Sequence, residues 1–307
     1  DEAGIRAQRV ELPASLFTPD GGLVPGAGRP LPPEDPAGYR AYVARYLDFF
    51  PAGCLAGLTI GLYEHSSVAR EALYEVLTGL GAEVERLGRS EVFIPVDTEA
   101  IRPEDVRLGR DWAATGRYQA LVAADGDGDR PLVGDERGNW LRGDIVGILC
   151  ARYLGAEGVA TPVSCNTALE QTGWFPAVRR TRIGSPFVIE GMAALKAGCL
   201  DPVVGYEANG GFLTATDLVR DDRRLPALPT RDALLVPIVL LLAARDQGLS
   251  LSALASSLPP RFTASDRLKD FPPELSQAQL QPLMAWDGIR DRAAAEELFG
   301  ACFGAVA

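Results

Sequence analysis

The sequence has 307 residues, of which 47% are hydrophobic and 23% charged, and its net charge is −11. This length allows two or more domains with a sizeable core, and the composition is that of an ordinary globular protein. The acidic charge argues against nucleic acid as a partner, because nucleic-acid recognition begins with a basic surface.

Cysteine usage and hydropathy predict where the protein works. The five cysteines are odd in number, widely spaced and without a Cys-x-x-Cys pair, which is typical of reduced and mostly buried thiols: Cys54, Cys150, Cys165, Cys199 and Cys302. No signal peptide or basic targeting segment is recognised at the beginning of the sequence. The longest apolar run, 233–244, is too short to cross a bilayer and predicts a buried helix. We therefore expect a cytoplasmic protein with no membrane partner.

The first part of the chain predicts an α/β unit. Residues 1–35 are rich in proline and glycine and show no sustained period, whereas Asp35 and Pro36 suit the cap and first position of a helix that reaches Phe50. A strand, a helix and a second strand are then predicted at 58–63, 68–80 and 82–87. Such a strand–helix–strand alternation indicates a parallel sheet.

An acidic loop follows the next predicted strand, 118–124. Aspartate alternates with glycine there, and an arginine closes the loop: Asp125, Gly126, Asp127, Gly128, Asp129 and Arg130. Three neighbouring carboxylates repel one another unless a cation offsets their charge, and hard oxygen ligands suit Mg²⁺ or Ca²⁺. The glycines let the backbone curl so that alternate side chains converge. The loop is therefore a candidate metal site, with a solvated acidic turn as the alternative.

An EF-hand loop also begins Asp-x-Asp-x-Asp, and Glu136 stands where its bidentate ligand belongs. The sixth position, however, is Arg130, where the sharp turn of an EF-hand requires glycine. The flanking segments also have the apolar character of strands, not of helices. We therefore reject the EF-hand interpretation.

The α/β pattern repeats in the second half of the chain. Helices are predicted at 144–154, 167–172 and 186–197, and strands at 158–163 and 203–206. A long buried helix with Thr230 as its N-cap follows, and a helix over 249–258 precedes Pro259 and Pro260. The acidic loop and the loop after 203–206 each follow the carboxyl end of a strand, where open α/β sheets bind ligands.

Three motifs in sequence order resemble those of the phosphohexomutase (phosphomannomutase/phosphoglucomutase) superfamily. The acidic loop is similar to the metal loop of this family. The stretch Gly205-Tyr206-Glu207-Ala208-Asn209-Gly210-Gly211 resembles its sugar-binding Gly-Glu-x-Ser-Gly loop, with Tyr206 inserted and Asn209 in place of serine. Between them, Thr181-Arg182-Ile183-Gly184-Ser185 resembles the Thr-x-Val-Gly turn of the third domain. Two further stretches, Pro95-Val96-Asp97-Thr98-Glu99-Ala100 and Thr263-Ala264-Ser265-Asp266-Arg267-Leu268-Lys269, resemble the bacterial phosphomannomutase branch, which is the most similar.

The resemblance implies a multidomain α/β architecture of repeated domains with mixed sheets around a central cleft. The implied parts are a remnant of the phosphoserine domain, a metal-binding domain, a sugar-binding domain and a partial phosphate-binding domain, at 1–52, 53–138, 139–257 and 258–307. The implied activity is that of an isomerase and phosphoprotein in carbohydrate metabolism. Through an enzyme phosphoserine, a bisphosphorylated sugar and Mg²⁺, it interconverts hexose 1-phosphate and hexose 6-phosphate, with mannose favoured over glucose.

The same resemblance gives roles to particular side chains. Mg²⁺ is assigned to Asp125, Asp127 and Asp129, and a catalytic role facing the phosphate to Arg130. Glu207 and Asn209 are assigned to the sugar hydroxyls, and in an extended segment these alternate residues would point to one side. Arg182 and Ser185 are further candidates for substrate binding, although an ordinary helix start is an equally simple interpretation.

Two family motifs are not found in the sequence, and alternatives therefore stay open. There is no Ser-His-Asn-Pro motif and no Arg-Pro-Ser-Gly-type phosphate loop, and 287–290 runs almost directly into a predicted helix at 292–307. A non-catalytic phosphosugar-binding relative is the second hypothesis. A Mg²⁺-dependent phosphatase is the third, but it requires an Asp-x-Asp-x-Thr/Val motif that the acidic loop lacks. His65, the only histidine, is either a general base or part of a helix-capping turn.

Overall fold

A computed structural model describes residues 2–9, 13–30, 32–265 and 271–284. The chain divides into two compact units, Asp1–Ala44 and Arg45–Ala307. The division falls within helix α2 (Ala37–Phe49), eight residues ahead of the predicted boundary at 52. The division into four domains stays a prediction.

The first unit is short and has little regular structure. It contains helix α1 (Glu2–Ala7), a 3-10 turn (Ala14–Leu16) and an isolated antiparallel bridge between Phe17 and Leu23. Its last part is the first half of α2, where the side chain of Asp35 accepts a hydrogen bond from the backbone N–H of Ala37 at 2.9 Å. Asp35 therefore caps this helix, as the sequence predicts.

The first sheet of the second unit carries the acidic loop. Its strands are β1 (Thr59–Tyr63), β2 (Glu83–Leu87), β3 (Ala120–Ala124) and β4 (Pro131–Gly134), in the order β2-β1-β3-β4. Strand β1 is parallel to β2 and β3, whereas β4 is antiparallel to β3. Helices α3 (Arg70–Gly79) and α4 (Pro103–Ala113) connect the parallel strands. All of β3 is buried, which explains its uninterrupted apolar sequence.

The second sheet repeats this arrangement. Its strands are β5 (Gly158–Pro162), β6 (Ala177–Thr181), β7 (Val203–Tyr206) and β8 (Phe212–Thr214), in the order β6-β5-β7-β8. Strand β5 is parallel to β6 and β7, and β8 is antiparallel to β7. Its helices are α5 (Gly143–Tyr153), α6 (Ala168–Thr172) and α7 (Ser185–Ala197). The predicted α/β class with repeated mixed sheets is confirmed.

A two-stranded hairpin and three helices complete the described chain. These elements are β9 (Leu218–Arg220), β10 (Arg223–Leu225), α8 (Leu235–Gln247), α9 (Leu251–Ser256) and α10 (Pro273–Met284). The predicted buried helix is confirmed, because the first ten residues of α8 are buried. Thr230 does not cap it. The carboxylate of Asp232 accepts from the N–H groups of Leu234 and Leu235, and the helix begins five residues after Thr230.

Several sequence predictions have an outcome elsewhere in the described residues. Cys54, Cys150 and Cys165 are buried free thiols, whereas Cys199 is exposed, and Cys302 lies outside the described residues. Within the described ranges, no helix is both long and apolar enough to cross a membrane. The predicted helix at 292–307 and the segment 287–290 lie outside the described residues.

Candidate functional site

The acidic loop, which we call the metal loop (residues 125–130), is the turn of the hairpin between β3 and β4. The backbone N–H of Asp125 bonds the carbonyl of Arg130 at 3.0 Å, which closes the turn. The side chain of Asp125 accepts from the N–H groups of Asp129 and Arg130, both at 3.1 Å. A hairpin turn between two strands is incompatible with an EF-hand, so the rejection of that interpretation is confirmed.

The three carboxylates of the metal loop converge. One oxygen from each of Asp125, Asp127 and Asp129 lies within 4.8 Å of the other two. Asp125 is buried, Asp129 is half-buried and Asp127 is exposed, so the cluster opens to solvent on one side. Within the described residues, Oδ1 of Asp129 is buried without a hydrogen bond, and Nε of Arg130 lies 3.3 Å away as an ion-pair partner. Hard, convergent oxygens with solvent access on one side fit a divalent cation that retains water or binds a phosphate oxygen.

Burial and like charge both act on the innermost carboxylate of this cluster. Desolvation raises the pKa of Asp125, and the neighbouring Asp127 acts in the same direction, whereas contacts with Arg130 oppose the rise. Nε of Arg130 lies 2.5 Å from Oδ2 of Asp125 and 3.3 Å from Oδ1 of Asp129. The arginine that the sequence assigns to a phosphate therefore forms ion pairs with the metal loop itself.

The turn between β1 and α3 donates hydrogen bonds to the backbone at the start of the metal loop. His65 is fully buried and donates from Nε2 to the carbonyl of Ala124 at 2.6 Å, and burial lowers its pKa. Ser67 donates to the carbonyl of Asp125 at 2.6 Å and accepts from the N–H of Ala69 at 3.2 Å. Because its ring is enclosed and its Nε2 proton is engaged, His65 acts here as a structural support and not as a solvent-facing base. Of the two interpretations of His65, these contacts fit a place in the turn ahead of α3 and not a general base. In that turn, Ser67 is the residue whose side chain bonds the N–H group of Ala69.

The second candidate loop, which we call the sugar loop (residues 207–211), has the equivalent position in the second sheet, between β7 and β8. The N–H of Glu207 bonds the carbonyl of Gly211 at 2.9 Å, and the N–H of Gly210 bonds the carbonyl of Glu207 at 3.1 Å. Gly210 has a φ of 93°, and a Cβ there would lie 2.6 Å from the carbonyl oxygen of Pro131. The sugar loop therefore packs directly on the residue that follows the metal loop, and only glycine permits this approach.

The carboxylate of Glu207 lies in a poorly solvated position. The residue is 4% exposed, and burial raises its pKa. In the part of the chain that the structure describes, its Oε2 has no hydrogen-bond partner, and this atom is 3.8 Å from Nε of Arg231. A buried carboxylate oxygen without a donor is costly for the protein alone, and a ligand hydroxyl could satisfy it.

Asn209 differs from its expected geometry. The segment is a tight turn and not extended, so alternate side chains do not point to one side. Oδ1 of Asn209 accepts from the N–H of Gly211 at 3.0 Å, and its backbone carbonyl accepts from Oγ1 of Thr98 at 2.6 Å. The amide oxygen therefore shapes the loop, which leaves the Nδ2 donors as the part of this side chain that could contact a ligand.

Arg182 and Ser185 lie at the carboxyl end of β6, on the same edge of the second sheet as the sugar loop but two strands away. The guanidinium of Arg182 stacks on the ring of Phe187, 5.5 Å from its centroid. Ser185 is the first residue of α7. The N-cap residue of this helix is Gly184, and among the described residues no side chain caps the helix. Among the described contacts, none joins these two residues to the metal loop or the sugar loop.

Arg231 is a site residue that the sequence motifs did not identify. It belongs to the segment before α8, and its Nε lies 3.1 Å from Oδ2 of Asp129 as well as near Glu207. Thr98 is a second such residue. Neither residue received a role in the site from the sequence motifs, because each reaches the site only through the packing of distant segments.

The chain is similar to known proteins over most of its length. Residues 142–262 match the family described as phosphoglucomutase/phosphomannomutase, alpha/beta/alpha domain III. A phosphomannomutase of Salmonella muenchen is 48% identical over 231 residues, which are 75% of this chain and 48% of that protein. A phosphomannomutase of Sinorhizobium fredii is 43% identical over 244 residues, which are 80% of this chain and 51% of that protein. The chain thus spans about half the length of these relatives.

Solved structures share the fold. A phosphoglucomutase/phosphomannomutase family protein from Burkholderia thailandensis has a TM-score of 0.55 at 19% identity, covering 72% of this chain and 46% of that one. A protein from Thermus thermophilus described as a phosphomannomutase has a TM-score of 0.52 at 18% identity, covering 67% of this chain and 46% of that one. Together with the matched third domain and the similar sequences, this shared fold means that the chain belongs to the phosphoglucomutase/phosphomannomutase superfamily of phosphohexomutases.

Proposed function

We propose that this chain provides the metal-binding and sugar-binding parts of a phosphomannomutase-type intramolecular phosphotransferase, an isomerase. The observation that carries the proposal is the direct packing of the sugar loop, through Gly210, on Pro131, the residue that follows the metal loop. This packing brings a cluster of hard anionic ligands next to a buried carboxylate that lacks a donor. A hexose phosphate fits such a pair of sites, because its phosphate and its ring hydroxyls need different partners a short distance apart.

The cation of this site is proposed to be Mg²⁺, held by Asp125, Asp127 and Asp129. The choice of Mg²⁺ follows from a small set of hard oxygens that leaves room for a phosphate oxygen. When bound, the ion supplies electrostatic stabilisation of the phosphoryl group during its transfer.

The remaining residues bind and orient the sugar phosphate. Arg130, the last residue of the metal loop, offers a planar guanidinium to the phosphoryl oxygens. Glu207 accepts hydrogen bonds from hydroxyls in the middle of the sugar ring, and Asn209 donates to them from Nδ2. Because these hydroxyls lie between the two phosphorylated positions, the same contacts serve the sugar in both orientations. Arg182 and Ser185 are proposed to contact the substrate at the far edge of the second sheet.

Phosphoryl transfer in this proposal requires a phosphoserine. The phosphoryl group moves from the serine oxygen to the free hydroxyl of the hexose phosphate: the bond from phosphorus to the serine oxygen breaks as the bond to the sugar oxygen forms, and the proton of the sugar hydroxyl is balanced by protonation of the serine oxygen. The bisphosphorylated sugar then turns over, and its other phosphate returns to the serine. Because no Ser-His-Asn-Pro motif occurs in these 307 residues, the activity must be tested with the full gene product.

The test is a mutase assay with that full gene product, primed with mannose 1,6-bisphosphate and Mg²⁺. We expect interconversion of mannose 1-phosphate and mannose 6-phosphate, with a higher kcat/KM than for glucose 1-phosphate. Absence of turnover with every hexose phosphate, while mannose 6-phosphate still binds, would replace this proposal with the non-catalytic phosphosugar-binding relative. Absence of both turnover and binding would remove both hypotheses.

A further inference from the structure

Arg231 connects the two loops of the candidate site. Its Nε lies 3.1 Å from Oδ2 of Asp129 in the metal loop and 3.8 Å from Oε2 of Glu207 in the sugar loop. Nε of Arg130 also lies 3.3 Å from Oδ1 of Asp129, whereas Oε2 of Glu207 is buried and has no hydrogen-bond partner among the described residues. One guanidinium therefore provides positive charge to a carboxylate in each loop, and it comes from a third segment of the chain.

The position of Arg231 is determined by its neighbours. Its aliphatic part packs on Gly211, where a Cβ would lie 2.5 Å from Cδ of the arginine. The next residue, Asp232, is 3% exposed and is anchored by the hydroxyl of Tyr46 and by the N–H groups at the start of α8. Backbone anchoring and stem packing hold the guanidinium at the site, although the side chain is 29% exposed.

A divalent cation at the metal loop and the guanidinium of Arg231 have the same preference for Asp129. The two positive charges repel each other at this short distance, and both need the oxygens of one carboxylate. An anionic phosphate beside the cation attracts the same guanidinium, for which a planar fork of donors is well suited. The cation therefore repels the guanidinium of Arg231 from Asp129, whereas the sugar phosphate attracts this guanidinium.

We infer that Arg231 couples the two loops: it competes with the cation for Asp129, and, once the cation has taken that carboxylate, its guanidinium is available to the phosphate of the sugar. This inference rests on the proposed function, since it names the residue through which a metal site and an anionic-ligand site influence each other. The coupling is reciprocal, so each ligand changes the affinity for the other by the same factor.

The test compares the full-length protein with its Arg231→Gln variant. Mg²⁺ binding is measured by calorimetry without sugar, and binding of mannose 6-phosphate is measured separately at saturating Mg²⁺. Removing a positive charge close to the metal loop should tighten Mg²⁺ binding about 5- to 30-fold, whereas the loss of a phosphate partner should weaken mannose 6-phosphate binding about 10-fold. The opposite signs are the signature of the inference, because a merely structural role weakens both.

Two further variants keep the test decisive. Arg224→Gln removes the same charge from the β9–β10 hairpin, where Arg224 pairs with Asp217, and should change neither affinity. Arg231→Lys retains the charge without the planar fork, so it should keep Mg²⁺ affinity near wild type while sugar-phosphate binding still weakens.

The outcomes separate this inference from the proposed function. If wild type binds Mg²⁺ and both affinities fall or stay unchanged in Arg231→Gln, the inference is overturned alone. If wild type binds no Mg²⁺, the proposed metal site fails, and the inference fails with it.

Discussion

The metal loop and the sugar loop have the same place in two sheets of the same strand order, yet their carboxylates are stabilised differently. Each loop joins the third strand of its sheet to the antiparallel fourth strand. Asp125 receives two backbone N–H groups and an arginine from its own loop. Oε2 of Glu207 receives no such donor from the described residues, and Nε of Arg231 lies 3.8 Å from it.

Under the proposed function, position in the fold determines where a ligand binds, whereas the loop residues determine which ligand binds. The carboxyl ends of β3 and β7 are equivalent, as the general rule for open α/β sheets requires. In the metal loop, glycines and local bonds prepare an acidic cluster in advance. In the sugar loop, a buried acceptor is left for a partner from outside the loop.

The largest effect that would break this comparison is expected from Asp127→Asn. The change removes one charge and one hard ligand from the metal loop and leaves the sugar loop intact. Mg²⁺ affinity should fall by more than the roughly 10- to 100-fold seen when only an outer-shell partner is lost. Thermal stability in EDTA should stay within about 1 kcal/mol of wild type, or rise slightly, because Asp127 is exposed and mutual repulsion falls. Calorimetry and thermal unfolding measure the two quantities.

The matched control for this variant is Asp111→Asn, which makes the same charge change on the exposed face of α4. It should leave Mg²⁺ binding unchanged. Wild-type Mg²⁺ affinity in Asp127→Asn would mean that the metal loop is only a solvated acidic turn.

Glu207→Gln should produce the next largest effect, on the sugar loop alone. Loss of a charged acceptor for a sugar hydroxyl should lower kcat/KM about 10- to 150-fold, with Mg²⁺ affinity changed much less. Steady-state kinetics and Mg²⁺ calorimetry on the full-length protein measure the two effects. Equal losses of kcat/KM and of Mg²⁺ affinity would contradict the assignment of sugar binding to one loop and metal binding to the other.

The Glu207→Gln variant also tests how the stability of the protein depends on pH. Burial raises the pKa of Glu207 above its usual value of 4.5, so the folded state favours the protonated carboxyl. Its contribution to stability is therefore present below pH 4.5 and is lost as pH rises through the raised pKa. Because the amide of the Glu207→Gln variant cannot ionise, the stability of this variant relative to wild type should increase with pH over this window. Urea unfolding across the window measures it, and a constant difference would contradict the raised pKa.

The packing of Gly210 in the sugar loop on Pro131, next to the metal loop, can be tested with Gly210→Ala. Any L residue is strained at a φ of 93°, and the new methyl group would also collide with the carbonyl of Pro131. Gly116 has a φ of 69° and nothing within 4 Å of its Cβ position, so Gly116→Ala isolates the backbone strain, about 1–2 kcal/mol. Chemical unfolding should show a clearly larger loss for Gly210→Ala, together with weaker sugar-phosphate binding. Equal losses would mean that the loops are not tightly packed.

The smallest effect is expected from Asn209→Asp. The carboxylate keeps the acceptor for the N–H of Gly211 but removes the Nδ2 donors. If those donors contact a sugar hydroxyl, mannose 6-phosphate affinity should fall about 5-fold while the melting temperature changes little. Unchanged affinity in a binding titration would limit Asn209 to shaping the loop.

The sequence by itself determined those features of the protein that depend on short stretches of chain. The apolar run 118–124 predicted a buried strand, and the structure has one at 120–124. The three aspartates with two glycines predicted a turn of converging carboxylates, because both features depend only on near neighbours. Local pattern was insufficient for β6, which carries Arg179 and Arg180 on a partly exposed edge and therefore lacks an apolar run.

Tertiary structure decided the contacts between distant segments. The carboxylate of Asp232, and not the side chain of Thr230, bonds the N–H groups where α8 begins. The hydroxyl of Tyr46, far away in sequence, holds that carboxylate in place. Thr98 and Arg231 reach the sugar and metal loops through packing of segments that no motif connects. The ligand types of this site are therefore encoded locally, but the charge balance between its two loops arises only when the two sheets pack together.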